Sequence, residues 1–308
     1  MELIQDLSQV PGLNGSVVTD GMFDGVHLGH HQILQKVVQE SRRLKIPSIL
    51  VTYWPHPRHV LSSNKEKLRL LTSLDEKAKL IAEQGIDYML VIPFTKTFSE
   101  ISHQDFVQHI LVDTLQTKKL IVGYDHKFGK DRLGDIDYLK SVGNEFGFDI
   151  KLINKQEVEQ IAVSSTKIRY ALSCHLVESA SHFLGRPYSL QGKVVEGDKK
   201  GRTIGFPTAN IEADDANKLI PADGVYATRA WIENVPYSSM TNIGFRPTVD
   251  GKNHRIETHI IDFEGNLYGK VLKLEFISPI REEIKFSGLA ELKKQLGHDQ
   301  EMALKLLF

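Results

Sequence analysis

Four short apolar runs, at residues 17–19, 46–53, 88–92 and 120–122, are rich in β-branched side chains and read as buried strands. Between them the apolar residues change period. Ile33, Leu34, Val37, Val38 and Leu44 recur at helical spacing, as do Leu74, Ala78 and Ile81, and then Phe106, Val107, Ile110 and Leu111. Two of these helices open on capping boxes, Thr72 with Asp75 and Ser102 with Asp105. Alternating strands and helices dictate a parallel sheet covered by helices on its faces. In such sheets ligands sit beyond the carboxyl ends of the strands.

The pattern does not persist. After about residue 183 the chain becomes a series of strand-like segments punctuated by Gly, Pro, Asn and Asp. Leu272, Leu274 and Phe276 alternate with Lys273 and Glu275, as on a half-buried strand. Asp250-Gly251 and Glu264-Gly265-Asn266 are hairpin signals. Closely spaced strands with turns predict a small barrel, and residues 287–296 return to helical spacing. At 308 residues the chain has room for two cores, so two domains are expected, 1–183 and 184–308.

Composition narrows the function. Lys and Arg number 38 against 39 Asp and Glu, which supplies no broad basic surface for nucleic acid. No uncharged stretch is long enough to span a bilayer, and the first residues do not read as a signal peptide. Cys174 is the single cysteine, so neither a disulfide nor a thiolate zinc site is available within the chain. The expectation is a cytoplasmic protein with no membrane, nucleic-acid or obligate protein partner.

The run Gly21-Met22-Phe23-Asp24-Gly25-Val26-His27-Leu28-Gly29-His30 follows the first strand and opens the first helix. A helix N-terminus offers free N–H groups and a partial positive charge to a phosphate. Gly25 and Gly29 permit close backbone approach, and two imidazoles three residues apart can face one ligand. Donors there would stabilise charge building on a phosphoryl group during displacement. A second element, Val163-Ser164-Ser165-Thr166-Lys167-Ile168-Arg169, combines N-capping hydroxyls with an arginine four residues after Ser165, on the same helix face. Alone it would read as a capped surface helix. Beside the histidine turn it reads as a clamp for a triphosphate. A third, Gly123-Tyr124-Asp125-His126-Lys127-Phe128-Gly129-Lys130, is a glycine-punctuated basic loop placed where a nucleotide would be gripped.

In the second half, Gly201-Arg202-Thr203-Ile204-Gly205-Phe206-Pro207-Thr208-Ala209-Asn210 joins two strands. Gly201 and Gly205 leave N–H groups free to cradle phosphate oxygens. Thr208 and Asn210 fall to one side of an extended segment and offer oxygen ligands suited to a partly hydrated Mg²⁺. Arg255, Glu257 and His259 share one strand face, where a carboxylate could accept a proton from a substrate hydroxyl, although an isolated Glu is more often a solvated strand residue. Residues 242–248 read as a loop over the same end of the barrel.

Taken together, the His27–His30 turn, the 164–169 element, the Phe128-Gly129 loop, the 201–210 segment and Glu257 resemble the prokaryotic bifunctional riboflavin kinase/FAD synthetases, in that family's order along nearly the whole chain. The resemblance implies a Rossmann-like nucleotidylyltransferase domain followed by a six-stranded Greek-key barrel with a terminal helix. It implies that Gly21, Phe23, Gly25, His27, His30, Ser164, Ser165, Thr166 and Arg169 hold ATP, with His27 and His30 stabilising attack of FMN phosphate on the α-phosphorus. Asp24, Asp125, Phe128 and Arg281 would lie near flavin. Gly201, Gly205 and Thr208 would hold the kinase nucleotide, Thr208 and Asn210 the Mg²⁺, and Glu257 would be the base for the ribityl hydroxyl. ATP would be co-substrate, and riboflavin, FMN, FAD and ADP the other ligands. Trp54 and His126 depart from the acidic residue and the Phe expected at their positions. Two other readings stand beside this one: a single-activity enzyme, and a flavin-sensing protein that binds without turnover.

Overall fold

The computed structural model describes residues 1–62, 68–124, 126–153, 163–197, 200–248 and 251–308. By its internal contacts the chain divides into two compact units, Met1–Ser164 and Ser165–Phe308.

The first unit is built on a six-stranded, all-parallel sheet in the order β1-β4-β3-β2-β5-β6. Its strands are β1 (Glu2–Ile4), β2 (Ser16–Asp20), β3 (Ser48–Trp54), β4 (Tyr88–Pro93), β5 (Thr117–Gly123) and β6 (Asp149–Ile153). Each central strand is apolar at consecutive residues because both of its faces are covered. Val17 and Leu50 pack on one face with Leu34 and Val37 of helix α1 (Leu28–Leu44) and Ile81 of α2 (Leu74–Glu83). Their neighbours Val18 and Ile49 point the opposite way, onto Phe106, Val107 and Ile110 of a π-helical segment, Phe106–Thr114, and Leu139 of α3 (Ile136–Phe146). The edge strands β1 and β6 add to the four read from sequence. They are short and carry polar residues, Glu2 in one and Asp149 and Lys151 in the other, so no apolar run marks them.

One expected cap moves by a residue. Ser73, rather than Thr72, caps α2: its hydroxyl accepts from Glu76 N (3.2 Å), and the Glu76 carboxylate accepts from Ser73 N (2.9 Å). Thr72 is committed elsewhere, its hydroxyl accepting from Gly25 N at 3.2 Å. Ser102 does cap, accepting from Asp105 N at 3.0 Å, but the box is not reciprocal, because the Asp105 carboxylate takes the Ser102 hydroxyl (2.7 Å) in place of its backbone N–H.

The second unit begins with helices α4 (Ser165–Ser173) and α5 (Val177–Leu184). It continues into a closed antiparallel barrel in the order β10-β11-β8-β7-β12-β9. The strands are β7 (Tyr188–Val195), β8 (Ala209–Ala213), β9 (Gly224–Ile232), β10 (Val235–Thr248), β11 (Gly251–Ile260) and β12 (Val271–Arg281). The run β12-β9-β10-β11, in which the last strand returns beside the first, is a Greek key. Residues 242–248 are therefore strand, not loop: they pair along β11 down to Thr248 opposite Gly251. The Glu264-Gly265-Asn266 signal marks a crossing, not a hairpin, because β12 pairs with β7 and β9 and not with β11. A hydroxyl ladder fixes part of the barrel interior, with Thr228 to Thr241 at 2.7 Å and Thr241 to Thr258 at 2.9 Å. Helix α6 (Leu289–Leu307) runs about three turns beyond its sequence expectation, burying Asp299 and Ala303. No helix among the described residues is long and apolar enough to cross a membrane.

Candidate active sites

In the first unit the chain leaves β2 through a turn with three left-handed residues, Phe23 (φ 47°), Gly25 (φ 86°) and Val26 (φ 39°). For Phe and a β-branched Val that conformation costs about 1–3 kcal/mol each, so the surroundings must impose it. They do so by buried polar bonds. The Asp24 carboxylate accepts from Leu71 N (3.0 Å) and Thr72 N (3.2 Å), and Lys77 Nζ donates to Met22 O (2.8 Å). Lys77 is 2 % exposed, and burial pulls its ammonium down to about 8. Asp24, expected toward flavin, thus holds the turn to residues 70–72. Sequence reading missed Lys77 and Thr72 as supports. A lysine between the apolar Leu74, Ala78 and Ile81 was the available signal.

The imposed turn delivers His27 to the N-cap of α1 and His30 to its third residue. Each ring accepts the other residue's backbone N–H through Nδ1, both at 3.3 Å. The rings stack with centroids 3.6 Å apart and planes 13° apart. An accepting Nδ1 leaves the proton of a neutral imidazole on Nε2. Both histidines are therefore donors through Nε2 without being cations. Phe23 packs on His30 with centroids 4.9 Å apart, and a Cβ on Gly29 would press on the His27 ring at 3.3 Å. Gly21 N donates to Val51 O (3.1 Å), keeping the chain beside β3 as it enters the turn.

The loop after β5 is anchored rather than open. Phe128 is 6 % exposed, packs on Phe106 (5.3 Å) and His126 (5.6 Å), and exchanges backbone hydrogen bonds with Gly134, both 3.0 Å. Its ring belongs to the core of the unit. Asp125 lies outside the described residues. In the second unit, Ser165, Thr166 and Arg169 stand in the first turns of α4, directly after Ser164, and Ile168, Ala171 and Leu172 are its buried residues.

The barrel carries a cavity of about 450 Å³. Three polar side chains form one row across it, because Asn210 of β8 pairs with Glu257 of β11, which pairs with Asn242 of β10. Cross-strand partners present their side chains to the same face. Arg255, two residues from Glu257, reaches its carboxylate at 3.2 Å. Thr208 lines the same cavity, and Gly201 turns the chain toward it, its carbonyl accepting from Ile204 N (3.2 Å) and Phe206 N (2.9 Å). Gly205 adopts φ 91°, a conformation that disfavours a side chain. A Cβ on Gly197 would collide with the Asn210 amide, so that glycine makes room for it. The opposite wall is apolar, supplied by Ile284, Phe286, Leu289 and Leu292.

Arg281 also lines the cavity, yet its guanidinium is committed. Nε and Nη2 donate to the Asp299 carboxylate at 2.9 and 2.7 Å, and Nη1 donates to Glu282 O at 2.9 Å. Asp299, 1 % exposed, is a site residue that sequence reading missed. Its signal was an acid on the inward face of α6, in line with Leu292, Leu296 and Ala303.

The donors in this cavity fit a hard cation that keeps most of its water. Thr208 and Asn210 contribute neutral oxygens and Glu257 a carboxylate. Among the described residues no cluster of three His, Cys, Asp or Glu side chains could form a self-sufficient metal cage.

A parallel sheet with a histidine-capped helix at its strand ends, and a barrel with a carboxylate over an apolar-walled cavity, define two sites for phosphate chemistry. Comparison with known proteins gives the family. Residues 10–167 match the family model for FAD synthetase and residues 184–307 that for riboflavin kinase. The bifunctional riboflavin kinase/FMN adenylyltransferase of Escherichia coli (strain K12) is 39 % identical over 298 residues, 96 % of this chain and 94 % of its own. That of Pseudomonas fluorescens is 37 % identical over 309 residues, 99 % and 98 %. A crystal structure described as a macrolide-efflux protein from Streptococcus pneumoniae shares the fold at a TM-score of 0.89 and 29 % identity, over 98 % of both chains. The chain belongs to the bifunctional riboflavin kinase/FMN adenylyltransferase family.

Proposed function

We propose that the barrel phosphorylates riboflavin with ATP, giving FMN and ADP, and that the parallel-sheet half adenylylates FMN with a second ATP, giving FAD and pyrophosphate. The observation that carries the reading is the row Asn210–Glu257–Asn242 beside Thr208 over one cavity. A protein that only sensed flavin would need no carboxylate in register with oxygen ligands. In the kinase step Glu257 takes the proton of the ribityl hydroxyl, and the apolar wall receives the flavin ring. Arg281 acts there by holding the cavity's rim to Asp299 rather than as a free cation. Thr208 and Asn210 would hold Mg²⁺, which when bound neutralises phosphate charge.

In the adenylylation step His27 and His30 donate through Nε2 to oxygens of the ATP phosphates as charge moves to the leaving pyrophosphate. Ser164, Ser165, Thr166 and Arg169 are assigned to the outer phosphates, supported by the position of the hydroxyls at a helix start, where the dipole favours an anion, and a guanidinium one turn on. Gly21, Phe23 and Gly25 shape the turn. The division between the two activities is placed at residues 183/184, supported by the riboflavin kinase match beginning at 184. A single incubation tests the whole reading: riboflavin, ATP and Mg²⁺ with the protein, the flavins then separated by chromatography. FMN and FAD together are expected, and a metal chelator should stop both. One product alone would confine the chain to a single activity.

A further inference from the structure

One buried polar group in the first unit has no part in the chemistry above. Asp20, the last residue of β2, is 7 % exposed, and its Oδ1 has no hydrogen-bond partner. Its Oδ2 lies 3.5 Å from Nε2 of His126, which comes from the turn after β5, where His126 N donates to Gly123 O at 3.2 Å. Tyr53, on β3, is the third polar group facing the carboxyl. A carboxyl placed so deep loses its hydration, and the Tyr53 hydroxyl and one long contact to His126 return only part of it, so stability alone does not explain it.

Its location does. From β2 the chain steps outward through β3 and β4 on one side and then through β5 and β6 on the other, so the direction of winding reverses between β2 and β5. The crevice at such a reversal, outside the strand ends, is where ligands bind in doubly wound sheets. Asp20 and His126 span that crevice, one residue before Gly21 and the histidine turn on one side and two residues before Phe128 on the other.

We propose that Asp20 and His126 act as a positioning pair for ATP in the adenylylation half, tying the turn after β5 to the end of β2 across this reversal. The inference rests on the adenylylation reading given above. Burial sets the protonation of the pair. It pushes the Asp20 carboxyl up to about 7, against a smaller opposing pull from the Tyr53 hydroxyl. It pulls the His126 imidazole down to about 4, helped by the charge of Arg132. Between about pH 4 and 7 both members are thus uncharged, and no anion stands behind the turn that receives the triphosphate. Above it Asp20 ionises and opposes the like charge of ATP. By linkage, bound ATP holds the Asp20 proton on.

The test uses the full chain, with supplied FMN and varied ATP. Asp20→Leu and His126→Phe should each raise the KM for ATP about tenfold at neutral pH, with kcat changed far less, and the double variant should cost no more than the worse single one. The wild-type KM for ATP should rise between pH 6.5 and 8.5, and Asp20→Asn, uncharged at every pH, should flatten that rise. Far-ultraviolet circular dichroism and cooperative thermal unfolding of the same preparations report that the parallel-sheet unit carrying Asp20 and His126 is folded in each variant. Additive single effects, an unmoved KM, or an unchanged pH profile in Asp20→Asn would overturn the pair. A wild type that makes FMN but no FAD would instead overturn the adenylylation reading beneath it.

Discussion

His27 and His30 each accept the other's backbone N–H through Nδ1, so two side chains cap a helix and orient themselves by the same pair of bonds. Structure and chemistry are therefore divided between the two nitrogens of each ring. Nδ1 holds the turn, which leaves the proton of a neutral ring on Nε2.

That division can be separated by substitution. His30→Asn keeps a side-chain acceptor for the His27 N–H but loses the Nε2 donor. Losing one donor to a developing phosphoryl charge costs about 2.7–4 kcal/mol, so FAD synthesis from supplied FMN should fall about 10²–10³-fold. Riboflavin phosphorylation should be unaffected. His27→Ala should in addition lose about 1 kcal/mol of stability, because it removes the N-cap of α1. Unchanged FAD synthesis in His30→Asn would remove these rings from the reaction.

Glu257 separates the two activities. Glu257→Gln preserves shape and the row with Asn210 and Asn242 but cannot take a proton. FMN formation should fall roughly 10²–10⁴-fold while riboflavin still binds, measured by fluorescence titration. Adenylylation of supplied FMN should persist. Near-normal FMN production would make Glu257 an ordinary strand residue.

The Arg281–Asp299 pair predicts a stability effect in the barrel unit. Asp299→Ala strands a guanidinium that now has a two-toothed partner, and breaking a buried pair from one side costs about 3–5 kcal/mol. Chemical denaturation should show that loss, and the KM for riboflavin should rise because Arg281 and α6 both line the cavity. Wild-type stability in Asp299→Ala would show the pair to be superfluous.

Lys77 predicts a pH dependence of folding. Its amine titrates near 8 in the folded chain against 10.5 when free, so between those values the unfolded chain binds more protons and stability rises with pH. Lys77→Met abolishes that rise and leaves Met22 O without its donor, a loss of about 1–3 kcal/mol. Urea unfolding at pH 7.5 and 10 should show wild type gaining on the order of 2–3 kcal/mol relative to the variant. Parallel pH profiles would place the Lys77 ammonium in solvent.

Local pattern was enough wherever the physics is local. A strand buried on both faces must be apolar at consecutive positions, which is why Val17-Val18 and Leu50-Val51 were legible and the half-polar edge strands β1 and β6 were not. Period-two alternation placed Arg255, Glu257 and His259 on one face, and the capping geometry of α1 follows from residues three apart. What local pattern could not supply was the choice among competing partners. Thr72 reads as a cap until Gly25, 47 residues away, claims its hydroxyl and passes the role to Ser73. Nothing local pairs Arg281 with Asp299, 18 residues on, or Phe128 with Phe106, yet the fold brings each pair into contact. The sequence by itself determined the parallel sheet, the barrel and the residues that carry the phosphate chemistry, because period and turn chemistry act over a few residues. Only the tertiary structure decided which of those residues are spent on holding the sites together, because a buried polar group takes whichever partner the fold brings within about 3 Å.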